Sequence, residues 1–286
     1  IEALAWGSNL DWGFNKHPPF SAFAVEVFYN FFGNQDWAYY LLSQIFVLTA
    51  FILVFKLARD FFTNIHLAFF SVLLLEGIFF YNFTTPEFNV NVSQMPFWAL
   101  SIFFTWRCIK YDKLIDYILL GIFIGIGILT KYLFLYLVLG IKLFFIYNFY
   151  KKKIKSYNLL ISGPVALLII FPHLIWLAQN DFITLTYGFQ RTGGIGNYLD
   201  HLLFPSFFIL KKFIILIPFL IMVFFLVKKF KFKKIKFNEK MIFLIFTCLF
   251  PIFLMILTSI IIGAKLRTMW MTPFYLFLGL LFMEIY

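Results

Sequence analysis

The chain has 286 residues, of which 63% are hydrophobic and 13% are charged, whereas an average soluble domain carries about 25% charged residues. A single soluble core could not bury this much apolar surface. The apolar runs are continuous over about 17–23 residues, as spanning helices require, and do not alternate like barrel strands. The formal net charge of +11 comes from short basic clusters between these runs, which is a membrane-loop pattern and excludes nucleic acid as a partner. We therefore predict an all-α, polytopic transmembrane helix bundle.

Residues 1–35 precede the first apolar run and are predicted to form an outer loop. The polar, turn-forming centre of this loop contains a cation, an imidazole and two prolines: Lys16, His17, Pro18 and Pro19. Apolar residues then recur at helical spacing: Phe20, Phe23, Ala24, Val27, Phe28 and Phe31. Pro19 suits a first helical turn and Gly33 suits a helix stop, so we predict a short helix that lies in the membrane interface.

Nine candidate spans fill the rest of the chain, residues 36–286. They cover residues 36–56, 65–82, 90–106, 114–130, 132–149, 156–178, 206–227, 241–262 and 270–286. Gly121, Gly125 and Gly127 in the fourth span predict close helix packing. The whole of 1–286 is predicted to be one membrane domain. Because the chain opens within a loop and ends on a span, we expect a piece of a longer protein that lacks at least one N-terminal span.

The loops between the spans fall into two sets that differ in basic content. One set contains sixteen lysines and arginines: Lys56, Arg59, Arg107, Lys110, Lys113, Lys151, Lys152, Lys153, Lys155, Lys228, Lys229, Lys231, Lys233, Lys234, Lys236 and Lys240. The opposite set contains five, or seven with Lys211 and Lys212: Lys16, Lys131, Arg191, Lys265 and Arg267. Because cytoplasmic loops are enriched in Lys and Arg, the first set is predicted to be cytoplasmic and the second to face outward.

The outer loops hold the varied polar residues that a functional site needs. Glu87, before the third span, is either a solvated loop acid or a carboxylate aimed into a cavity as a base or metal ligand. Lys131, between the fourth and fifth spans, either extends to the interface or binds a lipid phosphate. Lys265 and Arg267, close to Trp270, are either interfacial anchors or phosphate ligands.

The longest outer segment and the histidines also allow two interpretations each. Residues 179–205 are either a plain connector or a mobile lid that delivers Arg191 and His201 to a site. Together with Glu2 or Glu87, three outer histidines could bind zinc: His17, His173 and His201. Their spacing in the sequence does not match a metal-binding signature. The sequence contains no P-loop, dinucleotide fingerprint or serine elbow.

Several segments resemble a known family. Residues 2–7 (EALAWG) and 12–19 (WGFNKHPP) resemble the first outer loop of the C-type membrane glycosyltransferases, which are the protein O-mannosyltransferase and aminoarabinose-transferase-like enzymes. Later segments resemble landmarks of the bacterial branch in the expected order: residues 86–89 (PEFN), 129–132 (LTKY), 171–177 (FPHLIWL) and 265–270 (KLRTMW). The resemblance covers nearly the whole chain, and KHPP is its more specific part.

This resemblance implies sugar transfer from a polyprenyl-phosphate donor on the periplasmic face of a bacterial inner membrane. The acceptor would be lipid A or another glycolipid, a glycan or a protein. Such a donor requires no cofactor, and a divalent metal is optional. The residues expected at the donor phosphate are Lys16, His17, Lys131, Lys265 and Arg267.

The resemblance also implies an acidic residue of the first loop as general base. Similar enzymes commonly carry an Asp beside or a few residues before the position of Glu2, which here would precede Ile1. Glu2 and Glu87 are the catalytic candidates within the chain. Two other functions stay open: a transporter or flippase of lipid-linked glycans, and a non-catalytic assembly subunit without the upstream Asp. A transporter would carry ionisable groups at mid-membrane in repeated halves, a pattern that this sequence lacks.

Overall fold

The computed structural model describes residues 2–151, 157–193, 197–229 and 237–285, with side chains to residue 226 in the third range. These residues form helices and turns and no strand, which confirms the all-α class. The α-helices are α1 Glu2–Gly7, α2 Phe20–Phe32, α3 Asp36–Phe61, α4 Ile65–Leu73, α5 Phe79–Phe83, α6 Val90–Tyr111, α7 Leu114–Thr130, α8 Leu135–Tyr150, α9 Leu159–Gln179, α10 Ile183–Arg191, α11 Asp200–Lys229, α12 Glu239–Leu244, α13 Phe250–Ile262 and α14 Leu278–Ile285. Short helical segments connect some of them: Leu74–Gly77, Tyr132–Phe134, Ile245–Leu249 and Thr268–Tyr275.

Five helices in the described ranges are long and apolar enough to cross a membrane, or six if Thr268–Tyr275 and Leu278–Ile285, bent by 51°, form one span. The five are Asp36–Phe61, Tyr132–Tyr150, Leu159–Gln179, Asp200–Leu226 and Glu239–Ile262. The predicted count of nine is therefore not confirmed, although helices occur at all nine positions. The second predicted span is divided between α4 and α5, α6 begins with polar residues, and α7 has only 17 residues.

The first 35 residues contain two helices, of which α1 is not evident from the apolar pattern. The bounds of α2 agree with the signals at Pro19 and Gly33. The carbonyl of Pro19 accepts the first helical hydrogen bonds, from Ala22 at 3.0 Å and Phe23 at 3.1 Å. Gly33 ends the helix with a φ of 66°, in the region that favours glycine. The location of α2 in a membrane interface stays a prediction.

The glycines of α7 allow close contact with α9, as predicted. A Cβ added to Gly121 would lie 2.6 Å from the carbonyl oxygen of Ser162, and one added to Gly125 would lie 2.8 Å from Cβ of Ile169. Contacts this short leave no room for a side chain, so the two helices can pack at this distance only with glycine at these positions.

The predicted cytoplasmic residues lie at the end of α6 that is far from Asn91. Arg107 donates a 2.7 Å hydrogen bond to Asp116, and Lys110 lies 3.3 Å from Asp60. Because α6 has 22 residues, its rise separates this end from Asn91 by about 30 Å. Nine basic residues of the same set have side chains that lie outside the described part of the chain: Lys152, Lys153, Lys155, Lys228, Lys229, Lys231, Lys233, Lys234 and Lys236.

The segment 179–205 is largely helical. α10 covers Ile183–Arg191, and α11 already begins at Asp200. Two of its glycines, Gly194 and Gly196, lie outside the described residues. Thr184 is the buried residue of α10, and the two interpretations of the segment, as a plain connector or as a mobile lid, both stay predictions.

Candidate active site

A cavity of about 470 Å³ lies at the Asn91 end of the bundle. Its wall combines the first loop, the start of α6, the break after α7, helix α10 and the segment after α13. Four basic side chains and one carboxylate line it: Lys16, Lys131, Arg191, Arg267 and Glu2. A cleft lined mainly by one sign of charge attracts ligands of the opposite sign. This cavity, which we call the cationic cavity, therefore suits an anionic ligand.

Lys131 is the most enclosed of these cations, with 7% of its surface exposed. It interrupts the helix between α7 and Tyr132–Phe134. Its ammonium donates a 2.8 Å hydrogen bond to Oδ1 of Asn91 and lies 5.1 Å from the ring of Trp270. Burial lowers the pKa of Lys131 to about 7. An anion beside this ammonium would compensate for its lost hydration, so Lys131 is the strongest candidate for a direct ligand contact.

Two asparagines at the start of α6 have separate roles. Asn89 caps the helix, since its Oδ1 accepts from the backbone N–H groups of Asn91 at 2.9 Å and Val92 at 3.2 Å. The buried side chain of Asn91 is thereby left to contact Lys131. An amide oxygen orients the ammonium without neutralising it, so the positive charge stays available to a ligand.

Glu2 and Lys16 form an ion pair at the rim of the cationic cavity. The ammonium of Lys16 donates a hydrogen bond to Oε1 of Glu2, and this bond raises the pKa of Lys16. The side chain of Glu2 is 61% exposed, so solvent and ligands can still reach it. α1 carries Glu2 and the loop after α1 carries Lys16, and the pair joins these two parts of the first loop.

His17 lines the same cavity but is not one of its cations. Its burial, together with the charges of Lys131 and Lys16, lowers the pKa of His17 to about 3. The imidazole is therefore neutral at physiological pH and packs its edge toward Trp6, with 6.0 Å between the ring centroids. A neutral ring can offer a phosphate one hydrogen bond but no charge.

The first loop is held in place by α9. His173 is buried, and its two ring nitrogens contact the hydroxyl of Tyr132 at 2.6 Å and the carbonyl of Trp12 at 2.5 Å. The indole N–H of Trp176 donates a 2.6 Å hydrogen bond to Asp11. His173, proposed as a metal ligand, is thus occupied as a structural link. His173 and Trp12, like Trp176 and Asp11, are more than 160 residues apart in the sequence. No local sequence signal therefore reveals these two contacts.

α10 forms another part of the wall. The hydroxyl of Thr184 donates a 2.5 Å hydrogen bond to the carbonyl of Phe14, which fixes the helix against the first loop. Arg191, at the end of α10, lines the cationic cavity together with Arg267 from the segment after α13. The backbone N–H of Lys265 donates to the carbonyl of Thr192 at 2.8 Å, which ties the two segments together.

Lys265 and His201 are among the predicted site residues that do not line the cationic cavity. The exposed side chain of Lys265 lies over the ring of Phe204, 5.9 Å from its centroid. Nδ1 of His201 donates a 2.8 Å hydrogen bond to the carbonyl of Ile260, and its ring packs against Gly263. Their predicted roles at the phosphate and in the lid receive no support from these positions.

Glu87 lies apart from Glu2. It lines a second cavity of about 490 Å³, between α2, α3 and the loop before α6, and this cavity shares no lining residue with the cationic one. The two candidate acids therefore face different spaces. Of the two, only Glu2 is placed beside the cations.

In the part of the chain that the structure describes, no group of three or more His, Cys, Asp or Glu side chains could hold a metal ion. The three histidines considered as ligands occupy separate positions: His17 lies against Trp6, His173 against Tyr132 and His201 against Ile260. A metal requirement of the protein stays an untested prediction.

Proteins similar to this chain include ArnT and RgtB. The crystal structure of ArnT from Cupriavidus metallidurans bound to undecaprenyl phosphate shares its fold, with a TM-score of 0.70 and 14% sequence identity over 99% of this chain and 53% of ArnT. The lipopolysaccharide core galacturonosyltransferase RgtB of Rhizobium johnstonii is 37% identical over 92 residues, which are 31% of this chain and 19% of RgtB. The chain thus spans about half the length of ArnT.

A family comparison covers more of the sequence. Residues 16–176 match the family described as dolichyl-phosphate-mannose-protein mannosyltransferase. This match includes the KHPP stretch, Glu87, Lys131 and His173 and extends over more than half of the chain. The predicted resemblance is confirmed, and the chain belongs to the dolichyl-phosphate-mannose-protein mannosyltransferase family of membrane proteins.

Proposed function

We propose that the protein transfers a sugar from a polyprenyl-phosphate donor to an acceptor at the outer surface of a bacterial inner membrane. One observation carries the proposal: the buried ammonium of Lys131 faces the cationic cavity with Asn91 as its only hydrogen-bond partner among the described residues. An ammonium has three donors. A phosphate oxygen would satisfy the others and compensate the buried charge.

The surrounding charges fit the same ligand. Lys16, Arg191 and Arg267 line the cavity, and a lipid phosphate is the leaving group of the proposed reaction. Cations fixed around a departing phosphate stabilise the negative charge that develops on it. ArnT, which shares the fold, was crystallised with undecaprenyl phosphate, and this supports the choice of donor.

In the proposed reaction, a hydroxyl oxygen of the acceptor attacks the anomeric carbon of the sugar. The bond between that carbon and the phosphate oxygen breaks, and polyprenyl phosphate leaves with the electron pair. The hydroxyl proton passes to a carboxylate, for which Glu2 is the candidate within the cationic cavity. Lys16 orients this carboxylate through the ion pair.

The acceptor is proposed to be a glycan or glycolipid. RgtB acts, by its name, on the core of lipopolysaccharide, and its 37% identity over 92 residues supports a related acceptor. The sidedness follows from the basic loops: the Arg107 end of the bundle is assigned to the cytoplasm, and the cationic cavity opens at the other end.

The proposal is tested with the full chain in proteoliposomes and undecaprenyl-phosphate sugars as donors. Lys131→Met removes the charge at similar length, and sugar transfer should fall about 100-fold, the usual loss for one stabilising donor in a buried site. Lys142→Met is the matched control, because Lys142 is exposed on α8 and lines neither cavity. Full transfer by Lys131→Met, or movement of the donor across the membrane without transfer, contradicts the proposal.

A further inference from the structure

The hydroxyl of Tyr132 lines the cationic cavity, and His173 determines where its proton lies. The carbonyl of Trp12 can only accept, so Nδ1 of His173 donates to it at 2.5 Å. The imidazole is neutral, because it is fully buried and both of its partners are uncharged. Nε2 therefore has no proton and accepts from the Tyr132 hydroxyl at 2.6 Å. Tyr132 is left with only oxygen lone pairs for a ligand.

A second hydroxyl beside Tyr132 has the same property. Thr184 on α10 is 1% exposed, lines the cationic cavity and interacts with the Tyr132 hydroxyl. Its own proton goes to the carbonyl of Phe14 at 2.5 Å, which can only accept. Neither hydroxyl therefore has a proton left for the other. The two neighbouring oxygens would both be satisfied by a hydrogen-bond donor that belongs to a ligand.

Other hydroxyls of the wall also use their protons within the protein. Thr258 donates to the carbonyl of Leu254 at 2.9 Å, so the 2.9 Å bond between Tyr136 and Thr258 is donated by Tyr136. Thr192 donates to the carbonyl of Phe189 at 2.7 Å. These hydroxyls line the cationic cavity and offer a ligand oxygen lone pairs, whereas the ammonium and guanidinium groups of the same wall can only donate.

The two parts of a lipid-phosphate sugar need these two kinds of partner. Phosphate oxygens accept hydrogen bonds, so they suit the ammonium of Lys131 and not the oxygen of Tyr132. A sugar hydroxyl can donate to that oxygen. The cavity volume of about 470 Å³ lies in the range of pockets that enclose whole small molecules, so it exceeds what a phosphate alone needs. A sugar joined to a phosphate at Lys131 therefore shares one cavity with Tyr132 and Thr184.

We propose that Tyr132 and Thr184 together accept a hydrogen bond from a hydroxyl group of the sugar on the donor, and that His173 is a positioning residue for Tyr132. The inference rests on the proposed function and identifies the part of the site that recognises the sugar. A sugar that lacks this hydroxyl, or that carries a carboxylate in its place, leaves the two oxygens without a donor and is rejected.

The test measures binding of lipid phosphates with and without a sugar to the full chain in lipid nanodiscs, by competition against fluorescent undecaprenyl phosphate. The probes are undecaprenyl phosphate and its mannosyl, galactosyl and galacturonosyl forms, followed by the monodeoxy derivatives of the form that binds most tightly. One monodeoxy derivative should bind about tenfold more weakly than its parent, the loss expected for one hydrogen bond. No acceptor is present, so the hydroxyl detected belongs to the donor.

Tyr132→Phe removes the accepting oxygen alone. It should weaken binding of the glycosylated donor about tenfold and leave binding of undecaprenyl phosphate unchanged, which also shows that the variant is folded. The sensitive monodeoxy derivative should lose nothing further in Tyr132→Phe, because both changes remove the same hydrogen bond. Tyr150→Phe is the matched control, since Tyr150 is exposed at the end of α8 and lines neither cavity.

Two substitutions of His173 separate positioning from a structural role. The amide nitrogen of His173→Asn replaces Nδ1, which keeps the bond to Trp12 but removes the acceptor for the Tyr132 proton. The amide oxygen of His173→Gln replaces Nε2 and keeps that acceptor. The tenfold loss with the monodeoxy derivative should therefore persist in His173→Gln and shrink in His173→Asn. A residue that only holds the first loop would give the opposite order, and that order or an equal loss in both overturns the inference.

The outcomes also separate this inference from the proposed function. If undecaprenyl phosphate binds but no monodeoxy derivative is weaker than its parent, the inference is wrong and the proposed function stands. This measurement uses the unmodified protein, so it decides the matter even where Tyr132→Phe does not fold. Absence of undecaprenyl phosphate binding by the unmodified protein would instead contradict the proposed function.

Discussion

The ammonium of Lys131 is held 2.8 Å from the side-chain oxygen of Asn91, forty residues earlier in the chain. The contact joins the break after α7 to the first turn of α6. Because the partner is an uncharged amide, the ammonium is oriented but not neutralised, and burial lowers its pKa to about 7. This combination makes the charge of Lys131 sensitive to pH in the physiological range.

Donor binding should therefore depend on pH. Below about pH 7 the free protein carries a protonated Lys131 that can pair with phosphate. Above it, binding has to take up a proton, so the affinity for the sugar-linked donor should fall by up to about tenfold per pH unit. Titration calorimetry in buffers of different ionisation enthalpy measures the proton uptake directly.

The matched variant for this prediction is Lys131→Arg. Arginine stays protonated throughout this range, so the pH dependence between about pH 7 and 9 should disappear. Neighbouring groups do not supply the effect, since the pKa of His17 is lowered to about 3 and that of Lys16 is raised. A pH dependence that is equal in the unmodified protein and in Lys131→Arg contradicts the assignment.

Lys212 is predicted to position the segment that carries Arg267. Although it lies on α11, within a span, its side chain is 7% exposed. The ammonium donates a 2.7 Å hydrogen bond to the carbonyl of Thr268 and lies 4.7 Å from the ring centroid of Phe208. Non-helical backbone in a membrane protein needs such partners, because lipid provides none.

Lys212→Met should therefore leave the carbonyl of Thr268 unpaired, at a cost of about 1–3 kcal/mol. The apparent melting temperature should fall, and KM for the donor should rise more than kcat falls, because Arg267 and Trp270 lose their position. Lys211→Met is the control, since Lys211 is the adjacent, exposed residue. Equal behaviour of the two variants would show that Lys212 does not hold this segment.

Close packing of α7 on α9 gives a prediction about stability alone. Gly121→Ala would place Cβ 2.6 Å from the backbone oxygen of Ser162, which cannot move without moving the helix. We expect a loss of about 1–3 kcal/mol, as for other overpacked sites. Gly163→Ala on α9 meets no atom within 4 Å and should be neutral or slightly stabilising. Thermal unfolding in detergent compares the two, and similar melting temperatures would contradict the packing.

The features that depend on local pattern could be predicted from the sequence. The apolar runs, Pro19 and Gly33 and the glycines of α7 indicate the class, the bounds of α2 and one close helix contact. The number of membrane spans could not be predicted in the same way, because the length and composition of several helices are marginal for crossing a membrane. α6, for example, buries polar residues against its neighbours instead of presenting a uniform apolar surface: Asn91, Ser93 and Gln94.

The composition of the site was predicted only in part. Lys16, Lys131 and Arg267 stand in recognisable segments, and they do share a cavity. The separation of Glu87 from Glu2 into two cavities could not be predicted, since it depends on how the first loop and the loop before α6 pack in the tertiary fold. The contact between Asp11 and Trp176 spans 165 residues and is likewise a property of the tertiary fold.

The orientation of the bundle is the remaining prediction, and it can be tested by labelling. Cys108 and Cys248 are buried, so they contribute little background and can be replaced by Ser for the experiment. Single cysteines at the exposed positions Asn34, between α2 and α3, and Lys113, between α6 and α7, lie at opposite ends of the bundle.

In intact cells, a membrane-impermeant maleimide should label Asn34→Cys, whereas Lys113→Cys should react only after the membrane is opened. This pattern is expected because the loop with Lys113 belongs to the basic set that the positive-inside rule assigns to the cytoplasm. Labelling of Lys113→Cys alone would place the cationic cavity on the cytoplasmic side, where the proposed lipid-linked donor and acceptor would not meet. Labelling of both cysteines from outside would contradict the assignment of the two ends of the bundle to opposite sides of the membrane.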